Sequence, residues 1–141
     1  MSIWKVHVTA EELNANKNED MVSYLGIEFT EVGADFISGK MPVDHRTRQP
    51  FGILHGGAHV VLAETLGSVA ANLVLEPGKG HAVGLDINSN HIKSVREGYV
   101  YGVARPIHIG GTTQVWEIKI SDENEKLLNI SRLTMFVVKH K

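Results

Sequence analysis

The chain contains no cysteine, which excludes disulfides, thiolate metal sites and a cysteine nucleophile. It also lacks a charge excess of either sign: the net charge is −2 over 141 residues. Nothing in that balance favours nucleic acid or an anionic membrane as a partner. The start, Met1-Ser2-Ile3-Trp4-Lys5-Val6-His7, has neither the apolar core nor the small-residue cleavage pattern of a signal peptide, so a cytoplasmic location is expected. The run Ala58–Leu75 is about 27 Å long as a helix, close to membrane-spanning length. Glu64, Ser68 and Asn72 interrupt it and no second span follows, so it reads as a core helix. Linkers, repeats and low-complexity segments are missing too. One domain over residues 1–141 is expected, large enough to bury roughly two thirds of its unfolded surface.

What is present is an ordered set of elements. Thr9-Ala10-Glu11-Glu12 is a capping-box pattern opening a short helix that should end within the polar 14–18 stretch. Asp20–Leu25 allows one further helical turn. Ile27–Val32 and Phe36–Met41, separated by Gly33-Ala34-Asp35, read as a hairpin. Pro42–Gly52 is a loop leading into the long helix, which Glu76-Pro77-Gly78-Lys79-Gly80 terminates. After Gly80 the pattern is strands, broken at Gly98, at Gly110-Gly111 and at Asp122–Glu125. Trp116, Ile118 and Ile120 share one face of the third of these, with Glu117, Lys119 and Ser121 on the other. Strands joined by hairpins make an antiparallel sheet, and a helix apolar on nearly all sides has to be surrounded. The expected fold is therefore α+β, a curved antiparallel sheet wrapped around one long central helix, with a partner subunit completing its cover.

The chemistry concentrates at that helix. Between Ala58 and Leu75 the only charged residue is Glu64, counting histidine as neutral. A carboxylate in so apolar a segment loses hydration and holds its proton more tightly unless a neighbour compensates. Ahead of the helix stands His55-Gly56-Gly57, where free N–H groups of Gly56 and Gly57 at a positive helix terminus would suit a polarised carbonyl. Ser68, one turn beyond Glu64, could orient a water or the carboxylate, and Gln49 could hydrogen-bond the carbonyl or the attacking group. His55 and Glu64 are nine residues apart, about 13 Å along a helix. Groups acting on one carbonyl must lie within roughly 3 Å of it. If both act, a twofold axis must bring the helix start of one chain beside Glu64 of another. The combination describes acyl-group hydrolysis by a homodimer.

The residues Gln49 to Ser68, with Gly84-Leu85-Asp86-Ile87-Asn88-Ser89-Asn90-His91 downstream, resemble the hotdog-fold acyl-CoA thioesterases. The branch is that of the 1,4-dihydroxy-2-naphthoyl-CoA and 4-hydroxybenzoyl-CoA thioesterases. The likeness runs from Ile3-Trp4-Lys5 to Ser131-Arg132-Leu133-Thr134. It implies a hotdog fold, Glu64 as nucleophile or general base, the Gly56 amide polarising the thioester carbonyl with help from Gln49 and His55, and Ser68 assisting hydrolysis. It further implies coenzyme A contacts at Gly84, at His91, Ile92, Lys93 and Ser94, and at His108, Ile109, Gly110, Gly111, Thr112 and Thr113. Basic and hydroxyl side chains beside glycine turns suit phosphates and a pantetheine amide. Homodimers assembling to a homotetramer are implied, with no metal and no cofactor beyond the coenzyme A carried by the substrate.

Other readings are weaker. His55 and His59 share a helix face but lack the intervening glutamate of a zinc-protease motif. Gly78–Gly84 is followed by a strand, not the helix a dinucleotide fingerprint requires. Gly67-Ser68 lacks the surroundings of a nucleophile elbow. A hotdog-fold 3-hydroxyacyl thioester dehydratase or hydratase would use His45 as its separate histidine. A non-catalytic acyl-CoA-binding protein would have no need of Glu64.

Overall fold

The computed structural model describes residues 1–15 and 18–141. Helix α1 spans Ala10–Ala15. The Glu12 N–H donates to Thr9 Oγ1 at 3.1 Å, as the capping pattern predicts. Part of the expected helix end, residues 16 and 17, lies outside the described residues. Helix α2, Met21–Tyr24, is the single further turn, capped by the Asp20 side chain. Strands β1 (Glu28–Val32) and β2 (Ile37–Pro42) form the hairpin. Helix α3, Gly56–Leu73, is the long helix. It is followed by β3 (Gly80–His91), β4 (Tyr99–Ile109), β5 (Thr113–Ser121) and β6 (Leu127–Lys139). Among the described residues no helix is long and apolar enough to cross a membrane.

The six strands form one antiparallel sheet in the order β1-β2-β4-β5-β6-β3. Its inner face packs on α3 through Trp116, Ile118, Ile120, Leu133 and Met135, all fully buried. The period-two reading of β5 holds. Trp4 stacks on Trp116 with ring centroids 6.3 Å apart, sealing the end of the core that the N-terminal segment covers.

Within the chain the sheet encloses only part of the helix. Its buried positions, Ala58, His59, Leu62, Ala63, Leu66, Gly67, Ala70 and Ala71, make one stripe, the spacing of a helix laid on a surface. Val61, Glu64, Thr65 and Ser68 on the other side are half-buried. One six-stranded sheet covers one face only. Asn72 fixes how that face is seated: its amide donates to the Ser68 and Ala82 carbonyls at 2.9 and 3.2 Å and accepts the Ala82 N–H at 2.8 Å. The start of β3 is thereby tied to the last turns of α3.

The two sheet edges differ. At the β1 edge the Asn14 side chain takes both backbone groups of Phe29, each at 2.7 Å, and a bulge between Phe29 and Glu31 breaks the register. Such devices blunt an edge. The β3 edge is twelve residues long, pairs among the described residues only with β6, and leaves Val83 and Leu85 43% and 63% exposed. It is an open template for another strand.

Candidate active site

The amino end of α3 is built as a set of donors. Gln49 heads a tight turn in which its N–H donates to the Ile53 carbonyl at 2.8 Å and its carbonyl accepts from Gly52 N–H at 2.9 Å. Its side-chain oxygen accepts the Phe51 N–H. The bond turns the oxygen into the loop, and the Gln49 NH2 makes no hydrogen bond among the described residues, so donation is the role it is placed to play. His55 is the N-cap, and its Nδ1 accepts from the Gly57 N–H at 2.7 Å. That bond places the imidazole proton on Nε2. It also corrects the expectation of two free amides: Gly57 N–H is taken and Gly56 N–H alone is available.

Beside Gly56 stands His91, the last residue of β3. A Cβ on Gly56 would lie 2.8 Å from His91 Nε2, so a side chain there would displace the ring. His91 Nδ1 accepts from Asn129 Nδ2 at 3.0 Å. The amide orientation is set by Ser131 Oγ, which is 2.9 Å from both Asn129 Oδ1 and Ser89 Oγ. With its nitrogen donating, Asn129 leaves the His91 proton on Nε2 as well. Asn129, Ser131 and Ser89 escaped the sequence reading. The only signal at Asn129 and Ser131 is a polar residue at a buried strand position, which marks a network in general and no site in particular; Ser89 is half-buried in a polar strand end and gives none.

Glu64 lies elsewhere. It is half-buried, and among the described residues it makes neither a hydrogen bond nor an ion pair. A Cβ on Gly84 would collide with Glu64 Oε2, so glycine at that strand position is what admits the carboxylate. Ser68 does not bond Glu64 within the chain. Its hydroxyl is 3.9 Å from Met135 Sδ, and Met135 is the cross-strand neighbour of Gly84. Gly56 and Glu64 are eight residues apart on one helix, about 12 Å. The structure gathers Gln49, His55, Gly56 and His91 at one place and Glu64, Ser68 and Gly84 at another.

The coenzyme A segments are split in the same way. Ile92 and Lys93 are held to the Leu128 carbonyl at the amino end of α3, and Lys93 and Ser94 are exposed. His108 and Ile109 belong to β4 and not to the turn, which is Gly110 to Thr112. That turn lies at the carboxyl end of α3, where Gly110 and Gly111 line a cavity of about 440 Å³ with Lys79, Lys139 and His140. His45 is exposed on the loop after β2.

A model of the thioesterase superfamily matches residues 51–129, a span holding the helix tip, Glu64, Gly84 and His91. The chain belongs to that superfamily. The 1,4-dihydroxy-2-naphthoyl-CoA hydrolase of Escherichia coli is 52% identical over 136 residues, which are 96% of this chain and 99% of the relative. A proofreading thioesterase, EntH, of Cronobacter turicensis is 48% identical over 96% of this chain and 98% of its own length. The crystal structure of the thioesterase HI1161 from Haemophilus influenzae superposes with a TM-score of 0.94 at 52% identity, covering 97% of this chain and 95% of that one. The chain is a thioester hydrolase with the hotdog fold.

One histidine of this thioesterase has no sequence-predicted role beyond a discarded metal site. His59 is 3% exposed, its ring centroid is 5.8 Å from that of His91, and its Nδ1 has no partner among the described residues. Burial, and secondarily the neighbouring His91, push its pKa down to about 4 from 6.5. Between those values the unfolded chain binds a proton that the folded chain does not. Stability is therefore expected to fall as pH drops from 6.5 towards 4, by up to about 3 kcal/mol from this residue. Urea unfolding at pH 7 and 4.5 checks this, and His59→Gln should remove that part of the slope.

Proposed function

We propose that the chain hydrolyses aryl-CoA thioesters such as 1,4-dihydroxy-2-naphthoyl-CoA, a step of menaquinone biosynthesis, in sites shared between two copies. Glu64 comes from one chain, and Gln49, His55 and Gly56 come from the other. The observation that carries this reading is the separation of the donors from Glu64 within one chain, with the open β3 edge between them. Glu64 lies against Gly84 in the first half of β3, and Gly56 lies against His91, its last residue. Antiparallel pairing of β3 with its own copy superimposes opposite ends, so the carboxylate of one chain meets the donors of the other. The axis then crosses β3 near Ile87 and Asn88, midway between those contacts. The same operation joins the His91–Ser94 segment of one chain with Gly84 and the His108–Thr113 segment of its mate, so both line one coenzyme A path. Dimers then associate to a tetramer, as the resemblance implies.

In such a site the thioester oxygen accepts from Gly56 N–H, the Gln49 NH2 and His55 Nε2–H. These donors are pre-oriented at a positive helix end and strengthen as the oxygen gains charge. Glu64 either attacks the carbonyl carbon, expelling the coenzyme A thiolate and leaving an anhydride that water cleaves, or takes a proton from the water that attacks. Ser68 lies on the carboxylate's face of the helix, in reach of a water held there. Neither route needs a metal or a resident cofactor.

A thiol-release assay over aryl, short aliphatic and long aliphatic CoA esters tests the substrate class. Aryl esters are expected to show the highest kcat/KM, by at least about tenfold. Equal or greater turnover of aliphatic esters would refute the aryl preference. Loss of enoyl absorbance from crotonyl-CoA without thiol release would favour hydration instead.

A further inference from the structure

A cavity of about 260 Å³ at the amino end of α3 is lined by Gln49, Gly56, His59, His91 and Lys93 among others. Its polar groups are nearly all donors. Gln49 offers NH2, Gly56 its N–H, and His91 the Nε2–H fixed by Asn129. His59 adds another. Its Nδ1 is sealed and unpartnered, whereas Nε2 is neither sealed nor bonded within the chain. A proton on Nδ1 would be sealed without an acceptor, whereas one on Nε2 can reach water or a ligand. The imidazole proton therefore belongs on Nε2, the nitrogen left within reach.

The thioester oxygen already has Gly56, Gln49 and His55. His59 and His91, ring against ring in the same cavity, are left to serve a second acceptor oxygen. In a coenzyme A ester the first such oxygen past the sulfur is the amide carbonyl of the cysteamine unit. We propose that His59 is a substrate-positioning residue which, with His91, binds that amide oxygen and so holds the sulfur in line with the Gly56 amide. The proposal rests on the shared-site reading of the active site.

The test compares two benzoyl thioesters, of N-acetylcysteamine and of pentanethiol, which have similar length but differ in the amide. Wild type is expected to prefer the N-acetylcysteamine ester in kcat/KM by more than about tenfold. His59→Leu should lose about tenfold of that preference. His59→Gln, which can present an N–H near the Nε2 position, should keep it to within about threefold. A purely structural His59 would change both esters alike and leave the ratio unmoved. An unchanged ratio in His59→Leu, or no preference in wild type, would overturn the proposal. So would a failure to cleave the N-acetylcysteamine ester by protein that cleaves benzoyl-CoA. Failure to cleave benzoyl-CoA itself would instead count against the proposed function. Should His59→Leu not fold, His59→Met, similar in size and without an N–H, takes its place, with the same expected loss and the same overturning result.

Discussion

Glu64→Gln is expected to lower kcat on an aryl-CoA ester by at least about 10³-fold, while thermal unfolding stays within a few degrees of wild type. The two halves of that expectation have one cause. Glu64 makes no ion pair or hydrogen bond among the described residues, so neutralising it breaks no structural contact. Glutamine is nearly isosteric and fits the space Gly84 leaves beside the carboxylate. What it cannot do is attack a carbonyl or accept a proton from water. A glutamate kept for structure would give the opposite pattern, a lowered melting temperature with near-normal turnover of the protein still folded. Single-turnover hydrolysis read beside a melting curve separates the two.

Much of this was legible because it depends on local chemistry. The capping box at Thr9, the proline-glycine stop after Glu76 and the alternation in β5 are short-range signals, and the elements follow them. The distance from His55 to Glu64 was legible too, since helix rise is fixed and converts nine positions into a length no single carbonyl can span. Two copies were thus implied before any edge strand was visible. The structure distinguishes the two edges: Asn14 covers part of the β1 edge, and among the described residues no strand pairs with the outer side of β3.

What could not be read depends on tertiary neighbours. Whether the Gly57 amide is free turns on the rotamer of His55, and the ring takes it. Whether Gln49 donates or accepts turns on a bond to Phe51 inside a turn. Asn72 reads as an interruption in an apolar run, yet it is the hook that sets β3 against α3. His59 and His91 are thirty-two positions apart, and only the sheet brings their rings together. Asn129 fixes the His91 tautomer from a strand whose sequence gives no hint of the site. The helix surface is a related case: composition gives an apolar cylinder, and which stripe of it the chain's own sheet covers depends on tertiary packing.

The second large effect follows from the proposed sharing of the site between two copies. The double variant Gln49→Ala/His55→Ala removes donors at the helix tip and should lose about 10²-fold or more in kcat, and Glu64→Gln should lose more. Neither homo-oligomer can contain an intact site. A mixed dimer can, because the Glu64 of the first variant faces the Gln49 and His55 of the second. Random exchange of equal amounts makes about half of the dimers mixed, each with one of its two sites intact, so about a quarter of wild-type activity should return. Mixing the two inactive proteins under subunit exchange, with mixed dimers verified by native mass spectrometry, is the most direct measurement. Recovery near a quarter of wild-type thiol release is the predicted result; mixed dimers no more active than the sum of their parents would contradict the shared site.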